Sequence, residues 1–155
     1  MLKNIIISRS FGSGHFFVAI FLIVSWMIPA VAEQLLNQAK NSPSPYLAIH
    51  GEDPIAWQEW NQATIELARQ QNKSLSVSID LFSCHWCYVM QQESCCNAEI
   101  AVMINQYFIP VKVDREPEVA VDAEMIAYAQ SSLGSAGWPL NVSITPGLSS
   151  VCRAI

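Results

Sequence analysis

Residues 82–90 read FSCHWCYVM, and the C-x-x-C pair inside that run, Cys84 and Cys87, constrains the fold more than any other feature of the chain. A strand pattern, LSVSI at residues 75–79, precedes it, and the short link Asp80–Ser83 leads into a helix that starts at or just before Cys84. At a helix start, unsatisfied backbone N–H groups and the helix dipole favour negative charge, so a cysteine there ionises more readily. Cys87 then lies one turn deeper on the same face, where its sulfur can attack a mixed disulfide formed by Cys84. Four readings compete: a redox centre, half of a metal site, a haem attachment, or a piece of core that contains sulfur.

The compartment decides between them, and the N-terminal residues speak to it. Lys3 and Arg9 stand in a start without acids, FFVAIFLIVSWMI at residues 16–28 is broken only by Ser25, and Pro29 precedes Ala30-Val31-Ala32. A basic start, an apolar run and an A-x-A ending predict a secretory signal peptide over residues 1–32, cleaved between Ala32 and Glu33. The run falls short of the roughly 20 apolar residues of a spanning helix, an uncleaved anchor being the alternative. Residues 33–155 are then the mature domain, periplasmic or extracellular, with no stable membrane insertion after cleavage. Its six Lys and Arg oppose all thirteen acids, a formal charge of −7. Nucleic acid is excluded as a partner, because phosphate binding needs clustered basic side chains. Outside the cytosol a thiol pair persists as a disulfide. The five cysteines are an odd number, so at least one lacks a partner within the chain.

Ahead of the motif, the two prolines of SPSPYLAIH (residues 42–50) predict an extended surface segment. Asp53-Pro54 reads as a helix start. Behind it Ile55, Trp57, Trp60, Thr64, Leu67 and Ala68 predict a helix ending near Asn72-Lys73, with its tryptophans in the core. Beyond the motif, Asn97-Ala98-Glu99 either restarts or continues the helix begun at Cys84 toward Tyr107. FIPVKV (residues 108–113) is a strand, residues 119–130 a helix, 134–139 a loop, and 140–145 a third strand. Pro146-Gly147 is a turn, and residues 151–155 begin a fourth strand. Helical crossovers make the first strands parallel, and the turn makes the last pair antiparallel. A strand, C-x-x-C at a helix start and a later loop-Pro-strand are the arrangement of a thioredoxin fold.

In the redox reading Cys84 is the nucleophile and Cys87 the resolving thiol. A protonated His85 would stabilise the thiolate and shift the couple toward an oxidant, its bland role being a solvent-exposed ring. Trp86 would shield the pair or contact a substrate peptide. Zinc lacks a second half-site: Cys95 lies about 16 Å along the helix axis from Cys84, and Cys152 or His50 would approach only through folding. Haem attachment fails because Tyr88, not His, follows Cys87. No cofactor and no metal are expected. Cys95 and Cys96 are adjacent, would form only a strained bond and read as small buried residues, with Cys95 on nearly the same face as Cys84. Cys152 has no assigned role. Pro139, after Gly137-Trp138, is placed either as a plain loop proline or as a cis proline setting the edge on which a substrate peptide pairs.

The stretches NSPSPYLAIHGEDPIAWQEW, SIDLFSCHWCYVMQQES, FIPVKVDRE and GWPLNVSITP resemble, in order and spacing, the thioredoxin-like domain of the spermatogenesis-associated thioredoxin-like protein family. The resemblance covers roughly residues 37–150. It implies a thioredoxin fold, a redox-type motif at Cys84 and Cys87, and a cis peptide at Pro139. Tyr88 departs from the family's usual His, and Cys95-Cys96 from an acidic or aromatic neighbourhood. Thioredoxins tend to carry a buried acid six residues before the first cysteine, where this chain has Ser78, with Asp80 two residues on. Larger members continue into a helical-barrel domain resembling sugar epimerases. Here the C-terminal helix of the fold is expected to be missing.

The sequence therefore predicts an α/β thioredoxin-like domain that exchanges disulfides with protein thiols or disulfides. The competing expectation is a non-catalytic module that holds a peptide or partner in a groove near Trp86, Trp138 and Pro139.

Overall fold

The computed structural model describes residues 35–145 and 153–154. The expected leader, the Pro146-Gly147 turn and Cys152 lie outside the described residues. Five helices, α1 (Pro45–Ala48), α2 (Gln62–Gln71), α3 (His85–Met90), α4 (Ala98–Tyr107) and α5 (Val119–Leu133), surround four strands, β1 (Ser74–Asp80), β2 (Phe108–Asp114), β3 (Leu140–Ile144) and β4 (Arg153–Ala154). The strand order is β2-β1-β3-β4. β1 pairs parallel with β2, and β3 pairs antiparallel with both β1 and β4, so the connection through α5 reverses the chain where the crossovers predicted parallel strands. Val77 stands opposite Val111 on one side and Val142 on the other.

Strand alternation sends Leu75, Val77 and Ile79 to one face with Ile109, Val111, Val113 and the apolar residues of β3. Ala68 of α2 and Met125 and Ala129 of α5 close that face. Residues on the other face are polar yet equally buried. Lys112 is 1% exposed and pairs with the fully buried Asp80 at 2.5 Å. Ser78 donates to the same Asp80 oxygen at 2.8 Å, and the Trp57 ring lies 5.0 Å from the Lys112 ammonium. A second core of Ala39, Ile55, Trp57, Cys95 and Ala101 builds up here. Together the parallel β1–β2 pair, the antiparallel β3 and the helical crossovers make this a thioredoxin-like fold.

Two expectations ahead of the motif are corrected. The SPSPYLAIH segment is extended and exposed only in part: Ser42 and Ser44 are extended and Pro43, Pro45 and Ile49 exposed, but Ser44 caps α1 by accepting from the Leu47 amide at 3.2 Å, Pro45 takes the first helical position, and Tyr46, Leu47 and His50 are buried. Ser44 also donates to Asp114 at 2.6 Å, tying α1 to the end of β2. Nor does a helix start at Asp53-Pro54. The Asp53 carboxylate accepts from Trp57 instead, and at Gln58 the chain meets β2, bridging Val111 in parallel and exchanging backbone hydrogen bonds with Pro110 and Lys112. α2 begins only at Asn61, whose side chain accepts from the Thr64 amide, and stops at Asn72 in the left-handed conformation. Among the described residues no helix is long and apolar enough to cross a membrane.

Candidate functional site

β1 ends at Asp80, and after the three-residue link 81–83 the chain reaches the N-cap of α3. Cys84 is the N-cap: its backbone is extended (φ −86°, ψ 110°), and its sulfur accepts from the Cys87 amide at 3.1 Å. A sulfur here occupies the place where an Asn, Asp or Ser oxygen would cap a helix. Cys84 and Cys87 form a disulfide, with Cα atoms 5.3 Å apart. The pair is asymmetric, because Cys84 is half-buried whereas Cys87 is 2% exposed. An incoming sulfur therefore meets Cys84 first.

The coil continues past α3 through a π-helical turn, Gln91–Cys95. The wider turn carries Cys95 into the second core, 4% exposed, in keeping with its reading as a small buried residue. Burial raises the Cys95 thiol to about 11. Cys96 corrects the sequence reading: it is exposed rather than buried, and its thiol points at Asp53 at 3.8 Å. Its pKa is also raised, by burial first and then by that carboxylate.

Two clefts flank α3. One, about 410 Å³, contains both cysteines and His85 and is lined as well by Tyr46 and Ile49 from the α1 region and by Phe82 and Tyr88. The second, about 420 Å³, contains Trp86, Met90 and Glu93 with Trp138 and Pro139. A larger cleft of about 460 Å³, between Pro43, Trp60 and Pro117, contains neither cysteine. The structure thus divides the sequence-predicted residues: Cys84, His85 and Cys87 share one cleft, and Trp86, Trp138 and Pro139 share another. His85 and Trp86 are both exposed, with ring centroids 5.4 Å apart.

The Trp138–Pro139 bond is cis. Trp138 is pinned by its indole N–H, which donates to Asp122 at 2.7 Å, and by the Arg115 guanidinium lying 4.1 Å over its ring. Sequence reasoning missed the wall formed by Tyr46 and Ile49. Its support is a buried chain of polar contacts: Tyr46 meets the His50 ring edge-on at 5.1 Å, His50 Nδ1 bonds Asp53 at 2.9 Å, and the Trp57 indole donates to the same oxygen at 3.0 Å. The only local signal was the i, i+3 pair His50 and Asp53, which the proline-rich context hid. Among the described residues no group of three or more His, Cys, Asp or Glu is placed to hold a metal ion.

A family model, Thioredox_DsbH, described as a protein of unknown function, DUF255, matches residues 36–154. Spermatogenesis-associated protein 20 of Mus musculus is 38% identical over 120 residues, 77% of this chain. The Homo sapiens protein of that name is 37% identical over 116 residues, 75% of this chain, and the uncharacterized protein B0495.5 of Caenorhabditis elegans 39% over 112 residues, 72% of this chain. The matched region spans 15% of the length of each of these relatives. Among solved structures, a chain titled DsbH Oxidoreductase is similar with a TM-score of 0.48 and 18% identity, covering 64% of this chain and 69% of that one. A thioredoxin from Thermus thermophilus has a TM-score of 0.46 and 12% identity, over 64% and 72% respectively. From the family model and the relatives together, the chain belongs to the Thioredox_DsbH family, that of the thioredoxin-like domain in the spermatogenesis-associated proteins.

Proposed function

We propose that this chain is an exported thiol–disulfide oxidoreductase acting through Cys84 and Cys87. The observation that carries the proposal is the asymmetric pair at the start of α3, one sulfur half-buried at the N-cap and the other beneath it. In the reduced protein the Cys84 thiolate attacks a substrate disulfide and bonds to one of its sulfurs, releasing the other as a thiolate. Cys87, as thiolate, then attacks Cys84, releasing the second substrate thiolate and forming the Cys84–Cys87 disulfide. Two electrons pass from the dithiol to the substrate. With a substrate dithiol the same steps run in reverse. The helix start favours Cys84 as the thiolate, and His85 and Trp86 next to it modulate its reactivity.

Export is supported by the basic start, apolar run and A-x-A ending of residues 1–32, and an oxidising compartment would keep such a pair in use. The decisive experiment is alkylation of the thiols at a series of glutathione ratios, alongside insulin reduction. A Cys84-dependent two-electron transition with matching insulin turnover is expected. A wild type inactive in both insulin reduction and dithiol oxidation would overturn the proposal. Secretion is checked separately by N-terminal sequencing, expected to begin at Glu33.

A further inference from the structure

Among the described residues, the cleft that contains both cysteines carries a concentration of solvent-exposed apolar surface. Ile49 is 54% exposed, Phe82 72% and Tyr88 62%, all three on the cleft that holds Cys84. Large apolar side chains gathered in one exposed patch mark an interaction site. Among the described residues lining this cleft there is no carboxylate, ammonium or guanidinium, although the domain is acidic as a whole. Its inner wall is fixed: Tyr46 is 8% exposed and packs edge-on against both His50 and Phe82, the latter at 6.4 Å, while Asp53 and Trp57 hold His50. A wall that does not rearrange on contact loses little entropy when it binds.

Chemistry dictates what enters this space. Once Cys84 has bonded to a substrate sulfur, the residues beside that sulfur are held next to Cys84, within reach of Ile49, Phe82 and Tyr88. We propose that this cleft is a specificity subsite, which selects polypeptides carrying an aromatic or large aliphatic residue next to the reacting cysteine. The inference rests on the oxidoreductase reading above and names its substrate class: apolar-flanked cysteines, as exposed by unfolded or misfolded chains. Acidic flanks are disfavoured twice, by the uncharged lining and by the negative charge of the domain. The cleft of Trp86, Trp138 and Pro139 contains neither sulfur and makes a smaller contribution to this choice.

The test uses the full chain, reduced beforehand, and short peptides whose single cysteine carries a coloured aromatic thiol in disulfide linkage. Cys84 attacks the peptide sulfur, the better leaving group departs as a coloured thiolate, and Cys87 then frees the peptide thiol. Peptides differ only in flanking residues: Phe, Ser or Glu. The second-order rate constant for release of the coloured thiolate in this single turnover is expected to be about tenfold higher for Phe flanks than for Ser flanks, with Glu lowest. Ile49→Ser and Phe82→Ser, both at exposed positions outside the core, should bring the Phe-to-Ser ratio toward one, whereas Trp86→Ser should leave most of it. Equal rates for all peptides, or a ratio lost in Trp86→Ser and kept in Ile49→Ser and Phe82→Ser, overturn the subsite while leaving the oxidoreductase reading in place. No Cys84-dependent release from any peptide overturns both.

Discussion

The amide of Cys87 donates to the sulfur of Cys84 at 3.1 Å, so the two reactive residues are also the cap and the first turn of one helix. Ionisation of Cys84 would strengthen that bond, because an N–H to a charged acceptor is stronger than one to a neutral acceptor. Structure and reactivity are carried by the same contact.

That asymmetry predicts different outcomes for the two serine variants. Cys84→Ser should reduce insulin turnover to background. Cys87→Ser keeps the more accessible, half-buried nucleophile but cannot resolve, and should accumulate a mixed disulfide visible as a thiol-sensitive band on a non-reducing gel. A Cys87→Ser protein that turns over normally would show that the buried sulfur is not the resolving group.

Buried beneath β1 and β2, Lys112 and Asp80 form an ion pair with neither partner reaching solvent. Lys112→Met leaves the Asp80 charge uncompensated and should cost about 3–5 kcal/mol in urea unfolding. Joint replacement by Lys112→Met and Asp80→Leu removes both charges, and the loss should be much smaller than with the single variant.

Asp53 is expected to link stability to acid pH. Burial pushes its carboxyl upward, but hydrogen bonds from His50 and Trp57 and attraction to His50 outweigh this and hold it below the usual carboxylate value. A folded value below the unfolded one means that the contribution is present above the unfolded pKa, near 4, and disappears as pH falls through the folded value. Asp53→Asn should lower stability near neutral pH by about 1–3 kcal/mol and flatten the acid limb of a urea-midpoint series.

The neighbouring thiols Cys95 and Cys96 should separate on alkylation. With the Cys95 thiol raised to about 11 by burial and only 4% exposed, iodoacetamide at about pH 8 should leave Cys95 unmodified in the native protein and label it in urea. Cys96 should be labelled without urea, and more slowly than a free thiol. Asp53→Asn should speed the Cys96 reaction, and peptide mass mapping reads both sites.

Much of this domain was legible in the sequence. The alternation of LSVSI and FIPVKV placed β1 and β2, and the strand, link and C-x-x-C order located α3 at Cys84, whereas only the structure decided that Asn97 starts a new helix, α4. Failures clustered where a residue's local meaning was overridden by a distant partner. Asp53 has the chemistry of a helix cap, but it is taken up by His50, Trp57 and Gln91. SPSPYLAIH reads as a loop, but Ser44 uses its hydroxyl both to cap α1 and to reach Asp114. Nothing within FIPVKV says that its lysine is buried, since the neutralising Asp80 lies on another strand.

By itself the sequence determined that a cysteine begins a helix at the end of a strand with a second cysteine one turn on, because caps, strand periods and helical spacing are set by near neighbours along the chain. Only the tertiary structure decided which surface that pair faces. The wall of Tyr46 and Ile49, the buried Lys112–Asp80 pair and the removal of Cys95 into the core all depend on contacts between residues far apart in the chain. Their free energy comes from burial and mutual charge compensation, neither of which leaves a period in the sequence.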